Sequence, residues 1–569
     1  MLTLCRGASG PAILPHQIHL PGGLMKKDSR APRANMRISG ASTVAGLVAA
    51  AMLCSPRADA QAFADLKSAL VDYSKAEHSA KKICADMAQY KGNEIASIEA
   101  AEVTGTTGVP TFCRISGVIT PEVAFEVALP ERWNGRFYMI GNGGHAGESL
   151  VDPGRVAQRN EALKLGFAFA QTNTGHDTRR EPGASFVMSN PQKAIDYAYR
   201  AVHVTASTAK DIVKNYYARP VDRSYWNSCS NGGRQGLLEA QRYPEDFDGV
   251  LANAPWVDQT GFTLGAMWNQ RALAGAGMTP AKLAVLAERV MARCDAIDGV
   301  KDGLIDDPRK CDFDARRDVP ACTAGSDTPY CLTAKQADAV MKVYSGPVSN
   351  GKPLFPGFKP GSEAVVAGSF GNTGAPVSAW MGTIVPANAN ATPADFGLAE
   401  NTMRYLVFTP PQPQYDTSSF DFDKDVKLLD AWGAKANATS TNLDRHRARG
   451  GKILMTYGWA DQILQPEMGI HYYESLVKRY GAKTGDSVRL FMVPGMTHCA
   501  GGYGTDRFDA VTALINWVEK GQAPATLAAS RVVDNKVVRT RPLCPYPQVA
   551  KYSGQGSIDE AANFRCAAP

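Results

Sequence analysis

The sequence predicts an α/β fold built on a parallel sheet, with a large domain inserted between two parts of that sheet. Three observations predict it. Strand and helix patterns alternate from about residue 135 to 242, the alternation resumes at 452, and the Gly-, Pro-, Asn- and Asp-rich stretch between them lacks regular periodicity. We therefore expect a core in two parts, residues 61–256 and 432–569, and a lid domain at residues 257–431.

The elements of the core follow in order along the chain. The first part is predicted to contain a helix at 63–82, an antiparallel hairpin at 115–129, strands beginning at 135, 166 and 223, and helices at 194–216 and up to 242. The second part is predicted to contain strands at 452–457 and 488–493 and helices at 467–480 and 507–520.

Residues 1–60 resemble a signal peptide. A basic region at 26–37 precedes a short apolar stretch at 41–54 and the small-residue site Ala58-Asp59-Ala60. We expect cleavage before Gln61 and a secreted or periplasmic protein, with translation starting at Met1, Met25 or Met36. The apolar stretch is too short for an uncleaved anchor.

Of the net charge of +6, this leader supplies +5, because the residues after it hold 54 bases and 53 acids. A balanced chain gives no argument for a nucleic-acid partner. The sequence after the leader contains no run of about 18 apolar residues, so no membrane span is predicted there. We expect a small-molecule substrate and no organic cofactor.

Ser230 is a candidate nucleophile because it lies among small residues between a predicted strand and a helix. Ser228 replaces the first glycine of G-x-S-x-G, so the motif alone also fits a phosphate loop or an ordinary turn. Asp461 and His498 each follow a later strand, and this order is that of an α/β-hydrolase triad. His498 would take the proton of Ser230, and Asp461 would orient the imidazole.

Two flanking cysteines strengthen this assignment. Cys229 precedes the serine and Cys499 follows the histidine, so a meeting of Ser230 and His498 predicts a Cys229–Cys499 disulfide. The ten cysteines after the leader favour disulfides, although spacing alone does not settle their pairing. Zinc is the competing interpretation, and the chain lacks the C-x-x-C and H-x₃-H pairs that zinc sites use.

The oxyanion of the reaction needs two converging N–H donors. One is expected from Asn231, directly after the nucleophile. The other is expected from Gly144 in the glycine loop 141–145, which follows an early strand. A simple hairpin turn is the alternative for this loop.

These residues resemble the tannase/feruloyl esterase family, which includes the bacterial terephthalate-monoester hydrolase. The resemblance is carried by Cys229-Ser230, Asp461 and His498-Cys499, and by segments 243–255, 420–423, 504–509 and 541–546. It implies an α/β-hydrolase with a lid that acts on esters of aromatic acids. It also implies four further disulfides, namely Cys84–Cys113, Cys294–Cys311, Cys322–Cys331 and Cys544–Cys566.

A metal site is expected in the lid. Asp295, Asp298 and Asp302 lie in a glycine-punctuated loop, where three carboxylates repel each other unless a hard cation neutralises them. The loop lacks EF-hand spacing. The resemblance implies structural calcium held by these three residues and by the carbonyls of Val300 and Leu304, whereas the alternative is a solvated acidic loop.

Candidate aromatic walls of the acyl pocket are Trp380, Phe396 and Tyr405, each of which also suits a lid core. The family's terephthalate-monoester enzyme uses a lid arginine, but the stretch 395–403 contains none and Arg404 is out of register. Feruloyl, other hydroxycinnamoyl or galloyl esters are therefore favoured over terephthalate monoesters. A serine peptidase and a catalytically silent binding scaffold are the remaining alternatives.

Overall fold

Nine strands form the central sheet of the protein. A computed structural model describes residues 63–92, 94–367 and 375–569, so the predicted signal peptide lies outside the described residues. Numbered along the chain, the strands are β1 (Ile95–Val103), β2 (Phe112–Ile119), β3 (Val123–Pro130), β4 (Arg136–Ile140), β5 (Ala168–Thr172), β6 (Arg223–Cys229), β7 (Gly249–Asn253), β8 (Lys452–Gly458) and β9 (Val488–Val493).

Six neighbouring strands of this sheet run parallel, as the sequence predicts. The spatial order is β9-β8-β7-β6-β4-β5-β3-β2-β1, and every pair from β9 to β5 is parallel. β3 pairs antiparallel with β5, and β1 to β3 form an antiparallel meander that confirms the predicted hairpin. The inner parallel strands are apolar and buried because helices cover both faces of the sheet.

The loops that carry chemistry leave one edge of the sheet. β6 ends at Cys229, β8 at Gly458 and β9 at Val493. Because the carboxyl ends of parallel strands lie at the same edge, the loops with Ser230, Asp461 and His498 emerge side by side.

Apart from the helix at 63–82, the helices predicted for the core are present with small shifts of their ends. The main core helices are Pro153–Lys164, Ala201–Tyr217, Asn231–Arg242, Pro466–Tyr480 and Ala510–Lys520. Within the described part of the chain, no helix has the length and hydropathy needed to cross a bilayer.

The helix predicted at 63–82 is wrong. That segment contains only a 3₁₀ turn at Leu66–Ser68 and a short strand at His78–Ser79. The Asp72 carboxylate accepts the backbone N–H of Ser74, a local turn that competes with helix formation. Tertiary bonds take the place of helical ones, since the N–H of Leu70 donates to the Asn516 side chain.

The inserted region between β7 and β8 has a core of its own, formed by residues between Leu273 and Val385. Its ends pack into the main core instead, through Phe262 on one side and Phe420 on the other. The domain boundaries at 257 and 431 stay a prediction. The longer helices of this region are Gln259–Leu273, Pro280–Cys294, Ala334–Ser345 and Ala394–Asn401.

All five predicted disulfides are present. Their Cα–Cα distances are 5.4 Å for Cys84–Cys113, 6.0 Å for Cys229–Cys499, 5.3 Å for Cys294–Cys311, 5.0 Å for Cys322–Cys331 and 5.6 Å for Cys544–Cys566. The last pair joins two C-terminal hairpins, Leu527–Val533 with Lys536–Leu543 and Val549–Tyr552 with Phe564–Ala567.

Candidate active site

Ser230 occupies a sharp turn between β6 and the helix Asn231–Arg242. Its φ of 63° and ψ of −125° are unfavourable for a residue with a side chain. The turn is held on both sides, because the Ser230 N–H donates to the Asn253 carbonyl (2.9 Å) and the Ser230 carbonyl accepts the Trp256 N–H (2.9 Å). This half-buried serine has the geometry of a nucleophile elbow.

The missing first glycine of the motif has a local explanation. A Cβ on Gly232 would lie 1.9 Å from the hydroxyl of Ser228. The Ser228 side chain therefore fits at the first glycine position of the motif, because Gly232 has no side chain to collide with it. Glycine is also required at 141, where a Cβ would lie 2.8 Å from the Gly232 Cα.

Asp461 and His498 form a buried pair. The Nδ1 atom of His498 lies 2.8 Å from Oδ2 of Asp461, and the other carboxylate oxygen accepts the backbone N–H groups of Ile463 (2.9 Å) and Leu464 (2.8 Å). Because a carboxylate only accepts, Nδ1 carries the proton and Nε2 is the basic nitrogen.

The Cys229–Cys499 disulfide joins the serine turn to the histidine loop, with its Cα atoms 6.0 Å apart. A ring nitrogen of His498 lies within 4.8 Å of both sulfur atoms. The bonded sulfurs are not thiolates, so this cluster does not have the ligands of a zinc site. The disulfide holds the residues next to Ser230 and His498 together, as predicted.

The glycine loop leaves the backbone N–H of Gly144 without a hydrogen-bond acceptor in the part of the chain that the structure describes. The Asn142 N–H donates to the Gln235 side chain (3.1 Å), and the Gly143 N–H donates to the Glu148 carboxylate. No acceptor within the described ranges takes the N–H of Gly144 or of Asn231. These two amides are the ones predicted for the oxyanion hole.

Arg234, which the sequence analysis did not single out, holds Asn231. Its Nε donates to the Asn231 Oδ1 (2.7 Å), and its Nη1 donates to the carbonyls of Ala198 (3.0 Å) and Ala436 (2.8 Å). The side chain is fully buried, and this burial lowers its pKa from the usual value. The i, i+3 spacing from Asn231 on a helix was the signal that could have identified it.

The inserted region covers the glycine loop. A Cβ on Gly144 would lie 3.6 Å from the Leu398 side chain, and Nε2 of His145 lies 3.0 Å from the Thr402 hydroxyl. The helix Ala394–Asn401 and the turn after it therefore lie against the candidate oxyanion hole. Phe396 and Tyr405 of the same segment are half-buried and pack on the main core.

Trp380 is not placed to be a pocket wall. Its side chain is fully buried in the core of the inserted region, where it packs on Tyr344 and donates its indole N–H to Ser362 (3.1 Å). This expectation is corrected because the residue serves lid packing.

The carboxylates of the acidic loop at 295–306 have different hydrogen-bond and charge partners. Oδ1 of Asp295 accepts the N–H groups of Asp302 (3.0 Å) and Gly303 (2.8 Å), and Oδ2 of Asp302 lies 2.5 Å from Nη2 of Arg541. Burial and the neighbouring Asp298 raise the pKa of Asp306, which the sequence analysis had not assigned, to about 7.

The donor types in this loop fit a hard cation. Asp298 and Asp306 are adjacent acids, and burial raises the pKa of Asp298 as well. The carbonyls of Val300 and Leu304 accept no hydrogen bond from a donor in the described residues. Surplus carboxylates and unengaged carbonyls are the ligands that calcium prefers.

The sheet and the strained serine turn define the protein as an α/β-hydrolase, and the buried Asp–His pair has the arrangement expected at a serine hydrolase site. The chain belongs to the tannase and feruloyl esterase family, whose model matches residues 101–567. It is a carboxylic ester hydrolase.

Three similar proteins extend over most of the chain. Mono(2-hydroxyethyl) terephthalate hydrolase from Piscinibacter sakaiensis is 33% identical over 534 residues, covering 83% of this chain and 87% of that protein. A probable feruloyl esterase B-1 from Aspergillus oryzae is 30% identical over 490 residues, covering 81% and 84%. The solved structure of feruloyl esterase B from Aspergillus oryzae matches with a TM-score of 0.71 and 27% identity, covering 85% of this chain and 99% of that one.

Proposed function

We propose that this enzyme hydrolyses esters of aromatic carboxylic acids, such as feruloyl, other hydroxycinnamoyl or galloyl esters, through an acyl-serine intermediate. His498 takes the Ser230 proton as the hydroxyl attacks the ester carbonyl, and then protonates the leaving alcohol. Water activated by His498 releases the acid. The N–H groups of Gly144 and Asn231 stabilise the oxyanion of each tetrahedral intermediate.

The observation that carries this proposal is the joined geometry of the serine turn and the histidine loop. The disulfide bridges the residue before Ser230 to the residue after His498, while Asp461 engages Nδ1 at 2.8 Å. This arrangement leaves Nε2 as the base on the side of the serine.

The contacts of Arg404 favour substrates whose acyl group has no second carboxylate. Its Nη2 lies 2.9 Å from the Glu400 carboxylate, and its Nε donates to the Tyr415 carbonyl (3.2 Å). A substrate carboxylate would therefore compete with Glu400 for this guanidinium. The relative's activity on a terephthalate monoester keeps that ester as the second candidate substrate.

A substrate panel tests the proposal. We expect turnover of methyl ferulate or methyl gallate to exceed that of mono(2-hydroxyethyl) terephthalate, and the matched amides to be inert. Ser230→Ala should lose all turnover and fluorophosphonate labelling while keeping its circular dichroism spectrum. Faster amide cleavage would indicate a peptidase, and an unlabelled wild-type serine would indicate a silent scaffold.

We also propose that the acidic loop binds structural calcium. Asp295, Asp298 and Asp302, with the carbonyls of Val300 and Leu304, would hold the ion. Bound there, calcium would neutralise the loop and stabilise the inserted region. The proposal is supported by the crowded Asp298–Asp306 pair described above.

We further propose export of the enzyme, supported by the leader pattern in the sequence and by the five disulfides. The test is the N-terminal sequence of the protein recovered from its host, which should begin at Gln61.

A further inference from the structure

The hydroxyl of Tyr197 contacts both halves of the candidate oxyanion hole. It lies 3.0 Å from the carbonyl oxygen of Gly144 and 3.4 Å from Oδ1 of Asn231. The side chain is 1% exposed, so it reaches neither solvent nor the opening of the site. One buried hydroxyl thus joins the two residues whose backbone amides would stabilise the oxyanion.

The direction of the Tyr197 proton follows from its other neighbours. The indole N–H of Trp432 only donates, and it lies 2.8 Å from Oε1 of Gln259. That contact turns the amide nitrogen of Gln259 toward Tyr197, to whose hydroxyl it donates at 2.8 Å. Since the hydroxyl accepts from Gln259, its own proton goes to the nearer acceptor, the Gly144 carbonyl.

The orientation of Asn231 is set in the same manner. The Arg234 guanidinium only donates and contacts Oδ1 of Asn231, so the Asn231 amide nitrogen faces the Gly143 carbonyl at 3.5 Å. The Gly143 carbonyl also accepts the N–H of Ala146 (2.8 Å). Gly144 has a φ of 32°, and both peptide groups that flank it are held by hydrogen bonds.

A local irregularity brings Tyr197 to this place. The helical segment from Gln192 to Tyr217 contains one π-helical turn, Asp196–Arg200, in which the Ala201 N–H donates to the Asp196 carbonyl. An extra residue in one turn rotates the side chains after it, and such turns are frequent at functional sites. Tyr197 lies within this turn.

We propose that Tyr197 is a positioning residue of the oxyanion hole, and that Gln259 and Trp432 direct its proton to the Gly144 carbonyl. The inference rests on the proposed acyl-transfer function. Gln259 and Trp432 lie near the two ends of the inserted region, so the insertion takes part in setting the donor geometry. Tyr197 acts through Gly144 and Asn231 and does not touch the substrate.

The test is Tyr197→Phe assayed on methyl ferulate or methyl gallate, whichever ester the wild-type enzyme cleaves faster. We expect kcat to fall about 10- to 100-fold with KM within about threefold, because misplaced donors weaken binding of the transition state more than that of the substrate. Inhibition by phenylboronic acid, which forms a tetrahedral adduct on the serine, should weaken by a similar factor.

Tyr217→Phe is the matched control. Its hydroxyl is also buried, lies on the same helical segment and donates to a backbone carbonyl, that of Pro130 (2.5 Å). We expect Tyr217→Phe to lower the melting temperature at least as much as Tyr197→Phe does while leaving kcat and boronate affinity unchanged.

Gln259→Glu provides a second readout. An ionised carboxylate at position 259 only accepts, so it draws the Tyr197 proton away from Gly144, whereas a protonated carboxyl there can donate as the glutamine amide does. The kcat of this variant relative to wild type should therefore rise as the pH falls. A flat ratio, or a Tyr197→Phe kcat within threefold of wild type, would overturn the inference. A wild-type enzyme that cleaves neither methyl ferulate nor methyl gallate would instead refute the proposed function.

Discussion

The hydroxyl of Ser228 fills the space that a side chain on Gly232 would need, because a Cβ at 232 would lie 1.9 Å from its oxygen. Gly232→Ala should therefore distort the serine turn, lower the melting temperature and reduce kcat/KM at least tenfold. Ser228→Gly/Gly232→Ala should recover most of both losses, since removing the Ser228 side chain removes the two atoms that a Cβ at 232 would approach most closely. A double variant no better than Gly232→Ala alone would contradict this explanation.

The Cys229–Cys499 bond should support both stability and turnover. It closes a loop of 270 residues, and disulfides of this kind contribute about 2–4 kcal/mol to the free energy of unfolding. We expect the double variant Cys229→Ser/Cys499→Ser to melt at a lower temperature and to lose kcat through greater mobility of His498.

Cys322→Ser/Cys331→Ser is the control for that prediction. This pair closes a loop of only nine residues in the inserted region. It should cost less stability and leave kcat unchanged. Equal kcat in the two double variants would show that the Cys229–Cys499 disulfide does not position His498.

Phe396 and Trp380 should differ in their effect on substrate binding. Phe396 is half-buried on the helix that lies against Gly144, whereas Trp380 is fully buried in the core of the inserted region. Phe396→Ala should raise KM for methyl ferulate about tenfold through lost apolar contact with the acyl group. Trp380→Phe should lower the melting temperature and leave KM unchanged, and the reverse pattern would contradict the assignment.

Asp395 should make the stability depend on pH. Burial raises the pKa of its carboxyl to about 7 in the folded protein, where Asn269 donates to it at 3.2 Å. Between about pH 4 and 7 the unfolded chain releases this proton while the folded protein retains it, so the free energy of unfolding falls as the pH rises.

Asp395→Asn removes this titration. The melting temperature of the variant minus that of wild type should be near zero at pH 4 and clearly positive at pH 8. Asp534→Asn, at an exposed turn, should show the same small difference at both pH values. A constant difference for Asp395→Asn would mean that its carboxyl is ionised throughout.

Removal of calcium should destabilise the inserted region. We expect chelation with EDTA to lower the melting temperature by several degrees, and added calcium, but not magnesium, to restore it. Asp298→Asn should abolish the response to EDTA. An unchanged melting temperature together with no calcium in elemental analysis of the purified protein would refute the site.

The catalytic constellation was accessible to sequence analysis because its signals are local. A serine between strand and helix, and an aspartate and a histidine after later strands, can be identified without knowing any distant contact. The five cysteine pairs were accessible in two ways, Cys229–Cys499 from the expected meeting of the triad and the others from the family resemblance.

The residues that support the site were not accessible in this way. Tyr197 meets Gly144 and Gln259 only through the fold, and no pattern near residue 197 indicates a π-helical turn. Phe396 and Trp380 are both aromatic residues of the inserted region, and the sequence does not distinguish them. Phe396 lies on the helix beside the glycine loop, whereas Trp380 lies in the core of the inserted region. The helix predicted at 63–82 is wrong because hydrogen bonds from the backbone of this segment to the side chains of Asn516 and Asp509 determine its conformation.

The order in which the cysteines are synthesised has a consequence for producing the enzyme. Cys229 leaves the ribosome well before Cys499, and the partners of two other bridges, Cys294–Cys311 and Cys322–Cys331, become accessible in the interval. Oxidation as the chain emerges can therefore trap Cys229 with a wrong thiol, and only exchange between thiols and disulfides releases it. Recombinant yield of active protein should accordingly depend on a disulfide isomerase or a glutathione redox buffer.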